Sequence, residues 1–415
     1  MAKTCIAIIG GGAAGFFLAA NIRKSNPDTQ IIIFEKAAKV LAKVKVSGGG
    51  RCNLTNSFAE IKDLMHAYPR GHRLMKKLFK TFNYKDAYKW FEERDVKLTT
   101  QEDQCVFPVS QDSESIIMCL KREAQKNGTE IRTRHEVNRI ERLEDGTFRL
   151  SFSSPDIPPF RADRVAITSG GAPLPKDLFF LQKLPHESEA PVPSLYTFNI
   201  KNEAAHQLMG IVVEEATAWI PGTKFKSQGA LLFTHWGMSG PAILKLSSYA
   251  ARWIHENNYR FPLQVCWIEE NNTERVAEEL KNIQNQHAQK QLASIRPYLL
   301  PQRLWNYLIE KAGLTPDKKW GELGKKSLNR LVTLLTSDTY EVSGKGSFRD
   351  EFVTCGGISL NAVSHQTLES KHYPGLYFAG EVLDIDAITG GFNLQAAWTT
   401  AFIIAQNIDK KTGLR

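Results

Sequence analysis

The chain has 415 residues, 42% of them hydrophobic and 23% charged, which is typical of a globular protein of two or three subdomains rather than a disordered chain. No apolar run reaches the roughly 18 residues of a membrane-spanning helix. The formal net charge of +9 favours anionic partners such as nucleotides, acidic metabolites or RNA, although a solvated basic surface would explain it equally well.

The first predicted elements form a βαβ unit typical of dinucleotide binding. Residues 5–9 predict a buried strand, and a helix over 13–22 follows it. Gly10 permits the tight turn, Gly12 lets a pyrophosphate come close, and Gly15 lets the helix pack on the strand. The helix N-terminus offers unpaired N–H groups to phosphates. Glu35 ends the next apolar run, where an acid accepts hydrogen bonds from ribose; a plain strand–turn–helix is the alternative.

A Lys- and Gly-rich loop over residues 37–57 carries the second signal, SGGGRCN at 47–53. Consecutive glycines allow the backbone to approach a flat or phosphorylated ligand. Arg51 could pair with a phosphate, and Asn53 offers an amide; a surface turn is the alternative. Cys52 is a candidate proton donor, nucleophile or covalent site, and the neighbouring arginine and N–H groups are expected to lower its pKa. A thiol packed in the turn is the structural alternative.

The next elements are helices over 72–95 and 113–127, strands over 129–152 around an Asp-Gly hairpin turn, and a buried strand over 163–169. The first of these helices carries cations spaced to share one face, and a second basic stretch occurs further along the chain. The first set is Arg70, Arg73, Lys77 and Lys80, and the second is Lys318, Lys319, Lys325, Lys326 and Arg330.

Prolines between 173 and 193 predict a linker, after which the pattern changes. Residues 194–235 resemble short strands without a βαβ rhythm, which suits a small antiparallel barrel or sheet. His235 could be an acid–base group lining the substrate cavity or a structural histidine. Residues 274–313 are helical in pattern, divided by two prolines. The simplest architecture is a discontinuous Rossmann-type domain with an insertion near 190–350.

The nucleotide-domain pattern returns from residue 352, with a strand at 375–380 and a long apolar helix over 394–408. Acids follow the strand directly and could accept hydrogen bonds from a polyol chain. A Gly-Gly turn then opens the last helix, whose N-terminus directs N–H groups outward. A flavin suits that position because its N1–C2=O edge gains negative charge on reduction, which favours FAD; an ordinary acidic turn is the alternative. The sequence lacks a second G-x-G-x-x-G unit, which would predict a separate NAD(P)-binding domain. It also lacks a cluster of His, Cys and carboxylate residues, which would predict a metal site.

Several sequence blocks carry a resemblance over essentially the whole chain: IIGGGAAG, SGGGRCNLTN, VFPVS, FTHWGMSGPAIL, VTCGGISL and LESKHYPGLYFAGEVLDIDAITGGFNLQAAW. With them the chain resembles the YhiN/BaiN-like NAD(P)/FAD-dependent oxidoreductases of the aminoacetone oxidase family. The resemblance implies an α/β fold with a Rossmann-type FAD-binding domain (1–190 and 350–415), an inserted β-barrel-like domain (191–265 and 335–349) and a helical subdomain (266–334). Its members are associated with bile-acid C=C reduction, amine oxidation and the formation of dihydrouridine in ribosomal RNA.

The residues expected to surround FAD, from the motifs and the resemblance together, lie in both terminal parts of the chain. They are Gly10, Gly12, Ala13, Ala14, Gly15, Glu35, Lys36, Lys43, Ser47, Gly48, Gly49, Arg51, Cys52, Asn53, Val137, Ser169, Gly170, Gly380, Glu381, Asp384, Gly391, Phe392, Asn393 and Leu394. Cys52 and His235 are the candidate catalytic residues.

The function predicted from these features is that of an FAD-dependent oxidoreductase. Flavin N5 would exchange hydride with an activated C=C or C=N bond of a small-molecule substrate, and NAD(P)H would bind transiently as electron donor. Flavin-dependent dihydrouridine synthesis on ribosomal RNA is an alternative, favoured by the charge, and a non-enzymatic flavin redox sensor is another. The six cysteines are scattered and form no C-x-x-C pair, which is typical of a protein whose thiols stay reduced. Together with the lack of a membrane-spanning segment, this pattern predicts a cytoplasmic protein without membrane partners.

Overall fold

The computed structural model describes residues 4–171, 175–201, 207–346 and 353–410. The chain divides into two compact units, one formed by Met1–Val192 with Val353–Arg415 and the other by Pro193–Phe352. We call them the terminal unit and the inserted unit. The finer three-part division made from the sequence stays a prediction.

The regular elements, in chain order, alternate irregularly between strands and short helices. The strands are β1 (Cys5–Ile9), β2 (Gln30–Glu35), β3 (Thr55–Asn56), β4 (Leu98–Thr100), β5 (Cys105–Pro108), β6 (Thr129–Thr133), β7 (Val137–Arg142), β8 (Phe148–Phe152), β9 (Phe160–Ala162), β10 (Arg164–Ile167), β11 (Ser188–Ser194), β12 (Phe198–Ile200), β13 (Val212–Trp219), β14 (Lys226–Phe233), β15 (Gly237–Ser239), β16 (Phe261–Cys266), β17 (Asp338–Lys345), β18 (Val353–Ile358) and β19 (Leu376–Phe378). The α-helices are α1 (Ala13–Asn21), α2 (Ala42–Val46), α3 (Leu64–Ala67), α4 (His72–Leu78), α5 (Tyr84–Glu92), α6 (Glu114–Lys126), α7 (Pro241–Tyr249), α8 (Ala251–Glu256), α9 (Thr273–Gln286), α10 (Gln302–Lys311), α11 (Lys325–Ser337) and α12 (Phe392–Ala405). Short 3-10 helices span Ser47–Gly50, Pro175–Leu181, Leu292–Ser294, Pro297–Leu299, Trp320–Glu322, Leu360–Ala362 and Gly380–Val382.

The terminal unit is built on a parallel five-stranded sheet in the order β6-β2-β1-β10-β19. Its central strands are almost wholly apolar and buried, which is typical of parallel strands covered on both faces. The predicted Rossmann-type fold is confirmed. Parallel pairing brings the carboxyl ends of β1 and β2 to one edge of the sheet, where such folds bind their ligands. The N–H of Gly10 donates there to Phe34 O at 2.8 Å.

The end of the chain returns to this sheet. Strand β19 pairs with β10, and helix α12 packs on α1, with the rings of Phe17 and Trp398 5.1 Å apart. The indole Nε1 of Trp398 donates to Leu54 O at 2.8 Å. In the part of the chain that the structure describes, no helix, α12 included, is long and apolar enough to cross a membrane.

The inserted unit contains a closed antiparallel barrel in the order β12-β15-β14-β13-β16-β17, which confirms the predicted barrel. The barrel and the helical segment share one hydrophobic core, since Phe198 and Phe233 of the barrel belong to the same cluster of buried residues as Trp305 and Leu331 of the helices.

One local prediction was wrong. The helix expected over 72–95 is broken between α4 and α5, because Asn83 begins a new helix: its side chain accepts from Lys85 N at 2.8 Å and its N–H donates to Asp86 Oδ2 at 2.8 Å.

The predicted proline linker contains the boundary between the two units, at Val192–Pro193, but it also holds regular structure: a 3-10 helix and strand β11. Among the described residues β11 pairs only with β18, so it is an edge strand and tolerates Pro191 and Pro193. Pro173 lies outside the described residues.

Candidate cofactor site

The N-terminus of α1 forms the first part of the site. Gly10 has a φ of +112°, and a Cβ there would lie 2.5 Å from Thr168 O; a Cβ on Gly15 would lie 2.1 Å from Gly10 O. These two glycines therefore close the turn tightly. Gly12 differs, because a Cβ there would meet no atom within 4 Å. Among the described residues the N–H groups of Ala13 and Ala14 have no hydrogen-bond partner, so the helix end is open to an anion.

Glu35 lies at the carboxyl end of β2, beside this turn. Its carboxylate accepts from Gly11 N at 2.8 Å and from Ala37 N at 2.7 Å, one bond to each oxygen. Each oxygen keeps a second acceptor site for a ribose hydroxyl. The neighbouring Lys36 is exposed, and His135 N donates to Glu35 O at 2.9 Å. That contact brings the start of β7, with the buried Val137, toward the same end of the sheet.

The triple-glycine segment forms an open backbone surface. Gly48, Gly49 and Gly50 all lie in the left-handed region, with φ of 57°, 69° and 87°, which a residue with a side chain rarely adopts. A Cβ on Gly48 would lie 2.7 Å from Asn53 N, whereas Gly49 and Gly50 face open space. The end of the segment is held by Ser113, whose N–H donates to Gly50 O at 3.0 Å.

Arg51 and Asn53 are held by protein contacts. The Arg51 guanidinium lies 4.2 Å from the centre of the Phe107 ring, and its Nη1 donates to Gln111 Oε1 at 3.2 Å. With its amide oriented to satisfy both neighbours, Asn53 donates to Thr55 O at 2.9 Å and accepts from Gly391 N at 3.2 Å. Asn53 therefore ties the glycine loop to the start of α12.

The prediction of a lowered pKa for Cys52 is wrong. Its side chain is fully buried, and burial raises the pKa of the thiol to about 12, against a smaller lowering by a hydrogen bond from Ser47. The Arg51 guanidinium, expected to lower it, is directed to Phe107 and Gln111 instead. Cys52 is thus a neutral thiol at physiological pH and not a thiolate nucleophile. None of the six cysteines, all of which lie in described segments, forms a disulfide.

Lys43 and Glu381 join the two ends of the chain across the site. The Lys43 Nζ lies 3.0 Å from Glu381 Oε2, and the other carboxylate oxygen accepts from Thr354 N at 2.9 Å. A Cβ on Gly170 would lie 3.9 Å from Glu381 Oε2, so the exposed Ser169 and the Gly170 backbone border the same carboxylate. A Cβ on Gly380 would lie 3.1 Å from Ala14 Cβ, against the first turn of α1.

The N-terminus of α12 forms the other end of the site. In the described part of the chain the N–H groups of Phe392, Asn393 and Leu394 have no partner, so this helix also presents an open positive end. The Asn393 side chain holds the approaching loop, accepting from Ala387 N at 3.0 Å and donating to Ala387 O at 3.1 Å. A Cβ on Gly391 would lie 2.3 Å from Thr55 O.

Sequence reasoning missed a buried ion pair beside that loop. Arg70 was assigned to the basic helix face, but its side chain is only 12% exposed and bonds the fully buried Asp386, with Nε 2.6 Å from Oδ1. The backbone N–H of the predicted acid Asp384 donates to Ile358 O at 2.9 Å. The buried apolar residues on both sides of Asp386 in the sequence were the signal that this carboxylate faces inward.

His235 belongs to the inserted unit, on an exposed turn between β14 and β15 with its ring centre 6.2 Å from that of Trp236. Its role stays a prediction. The other predicted residues lie in the terminal unit. We call the two open helix ends, the glycine backbone at 48–50 and Glu35 the cradle. These groups fit an extended dinucleotide with an anionic middle, and a Cβ on Gly12 or Gly49 would extend into the open space beside them.

Comparison with known proteins gives consistent findings. The family model described as "HI0933-like protein Rossmann domain" matches residues 4–407. The ribosomal RNA dihydrouridine synthase of Haemophilus influenzae is 29% identical, with 97% of this chain and 98% of the relative covered. The 3-dehydro-bile acid delta(4,6)-reductase of Clostridium scindens is 26% identical, with 96% and 97% covered. The 3-ketosteroid-delta4-(5alpha)-dehydrogenase structure from Rhodococcus jostii RHA1 covers 98% of both chains at 13% identity, with a TM-score of 0.47.

Proposed function

This chain belongs to the HI0933-like Rossmann-domain family of FAD-dependent oxidoreductases, and from that premise we propose that it exchanges hydride with an activated C=C or C=N bond. Reduction of a C=C bond conjugated to a carbonyl is the favoured reaction. The observation that carries the proposal is the pair of open helix N-termini, at α1 and α12, within one unit. Two such ends suit a cofactor with phosphates in its middle and a ring that gains negative charge on reduction.

The residues of the cradle would bind and orient FAD. The N–H groups of Ala13 and Ala14 would hold the pyrophosphate, and Glu35 would accept from the ribose hydroxyls. The N–H groups of Asn393 and Leu394 would stabilise negative charge at the N1–C2=O edge of the ring. When bound, FAD supplies two-electron hydride chemistry at its N5 atom.

Cys52 is the candidate proton donor in this unit. Because burial raises the pKa of its thiol to about 12, Sγ keeps its proton at physiological pH. We therefore assign it the role of holding a proton rather than of attacking a substrate. His235, on the inserted unit, is the other proposed acid–base group.

Two substrate classes fit a reduction of this type. A small conjugated alkene corresponds to the relative named a bile acid reductase. The uracil ring, whose C=C bond is also conjugated to a carbonyl, corresponds to two relatives named ribosomal RNA dihydrouridine synthases, 29% and 28% identical to this chain. The net charge of +9 favours the polyanionic substrate, and uridine in ribosomal RNA is the second function that we carry forward.

The test begins with anaerobic mixing of the FAD-loaded protein with NADH or NADPH, which should bleach the flavin absorbance. Ribosomal RNA from a strain lacking the gene, or a conjugated small-molecule alkene, should then restore the absorbance, and mass spectrometry should find two added hydrogens in the product. Failure of every reductant to turn over the flavin would favour the redox-sensor alternative. A purified protein that carries no flavin and gains none with added FAD would contradict the proposal.

A further inference from the structure

Helix α4 presents a basic face for which the described residues provide no carboxylate partner. Arg73, Lys76, Lys77 and Lys80 are exposed. Lys76 and Lys77 each lie three or four residues from both Arg73 and Lys80, so the four cations share one side of the helix and of the turn that follows it. No salt bridge involves any of the four within the described segments. The contact found for Lys77 is its Nζ 3.4 Å from His365 Nδ1, which is not a carboxylate.

The opposite side of α4 is buried in the terminal unit. Leu74, Met75 and Leu78 are 2%, 0% and 2% exposed. The helix backbone that carries the exposed cations is therefore packed against the terminal unit rather than part of a free segment.

The start of α4 is attached to the loop that leads into α12. Arg70 pairs with the buried Asp386, and a Cβ on Gly71 would lie 2.7 Å from Ile385 Cγ1. The Tyr68 hydroxyl donates to Phe392 O, in the first turn of α12, at 2.9 Å. Arg73, the first cation of the basic face, is three residues after Arg70. Since a helix rises about 1.5 Å per residue, the part of the face that lies within α4, from Arg73 to Lys77, extends for about 6 Å.

We propose that the basic face of α4, defined as Arg73, Lys76, Lys77 and Lys80, binds the phosphate backbone of the RNA whose uridine is reduced. The inference rests on the proposed action on ribosomal RNA and adds the surface that recognises it. Four exposed cations fixed beside the end of the cradle assigned to the flavin ring would hold phosphates next to the reacting base. Such contacts position a nucleic acid without reading its sequence.

A purely structural role predicts a different outcome. Lys76 and Lys77 lie in the last turn of α4, and Lys80 lies two residues beyond it, where cations are stabilised by the helix dipole. If that were their only role, neutralising them would lower the thermal midpoint slightly and leave RNA binding unchanged.

The experiment compares three FAD-loaded full-length proteins: wild type, R73Q/K76Q/K77Q/K80Q, and K318Q/K319Q/K325Q/K326Q. The last removes the same charge from the second basic stretch, in the inserted unit. Binding of a labelled ribosomal RNA fragment is measured at several salt concentrations, together with flavin content. We expect the α4 variant to bind about tenfold or more weakly, with the slope of log affinity against log salt shallower by about 3, and the control to match wild type.

Three results would overturn the inference. The first is equal RNA affinity in wild type and the α4 variant, and the second is a loss of RNA binding confined to the control variant. The third is α4-dependent binding of anionic phospholipid vesicles without binding of RNA. Dihydrouridine formation is scored separately. An α4-dependent RNA complex that forms no dihydrouridine would contradict the proposed action on ribosomal RNA while supporting the surface. Dihydrouridine formed equally by wild type and the α4 variant would support that action and contradict the surface.

Discussion

Gly12 and Gly15 are three residues apart in one turn, yet the structure gives them different functions. A Cβ on Gly15 would lie 2.1 Å from Gly10 O, whereas one on Gly12 would meet nothing within 4 Å. Gly12 also has a φ of −94°, which any residue can adopt. Gly15 is therefore required by the fold itself, whereas Gly12 leaves open the space that we propose for the ligand.

Gly12 is the N-cap of α1, where alanine is less favourable than glycine, so Gly12→Ala should still fold with a loss of about 0.5–1 kcal/mol. It should weaken FAD binding by about tenfold or more, because the methyl group would occupy the space proposed for the pyrophosphate. Gly15→Ala should destabilise the protein by about 1–3 kcal/mol. FAD titration and thermal unfolding of both variants separate the two effects. Equal FAD affinity in wild type and Gly12→Ala would contradict the assignment.

Cys52 provides a pH-dependent prediction. Burial raises the pKa of its thiol to about 12, from about 8.5 in an unfolded chain. Between those values the folded state keeps a proton that the unfolded state has released, so stability must fall as the pH rises through this range. From about pH 8 to pH 10 the thermal midpoint of wild type should fall further than that of Cys52→Ala. The buried Cys105 and Cys119 are common to both proteins, and equal falls would contradict the prediction.

The steric requirements at Gly10 and Gly15 could be predicted because the information is local in sequence. The glycine spacing at 10–15 depends on one turn, and Thr168 O simply fills the space that Gly10 leaves. The pKa of Cys52 depends on burial, which spacing does not report. The pairing of Arg70 with Asp386 joins residues 316 positions apart, so helical periodicity alone placed Arg70 on the wrong face.

At the scale of elements, helix α12 supplies the positive end that would face the flavin ring. The N–H groups of its first turn, at Phe392, Asn393 and Leu394, have no partner among the described residues. The start of this helix was predictable to within two residues, because a Gly-Gly pair before a long apolar run is a local signal. The break between α4 and α5 was not, since both halves keep apolar spacing and only the capping contacts of Asn83 separate them.

Leu394→Glu should lower the midpoint potential of bound FAD, because a carboxylate in the first turn offsets the positive helix end that stabilises the reduced, negatively charged ring. Leu394→Gln is the matched control, with the same shape and no charge, and should leave the potential close to that of wild type. Spectroscopic redox titration measures both. A similar potential in the glutamate and glutamine variants would show that this helix end does not act on the ring.

At the scale of the whole molecule, the terminal unit draws its sheet and its cradle from both ends of the chain. Strand β19 pairs with β10, and Gly380 lies against Ala14 of α1. The Rossmann-type sheet and the barrel were both foreseen from changes in the pattern of apolar residues. The boundaries of a separate helical subdomain stay a prediction, because the helical residues share one core with the barrel and no change of composition marks where such a core divides.

The most direct test of the account is a crystal structure of the protein saturated with FAD. We predict the pyrophosphate against the N–H groups of Ala13 and Ala14, the ribose at Glu35, and the N1–C2=O edge of the ring at the start of α12. Density for FAD in the opposite direction, outside the terminal unit, or away from either helix end would contradict the central claim that the two ends of this chain together hold the cofactor.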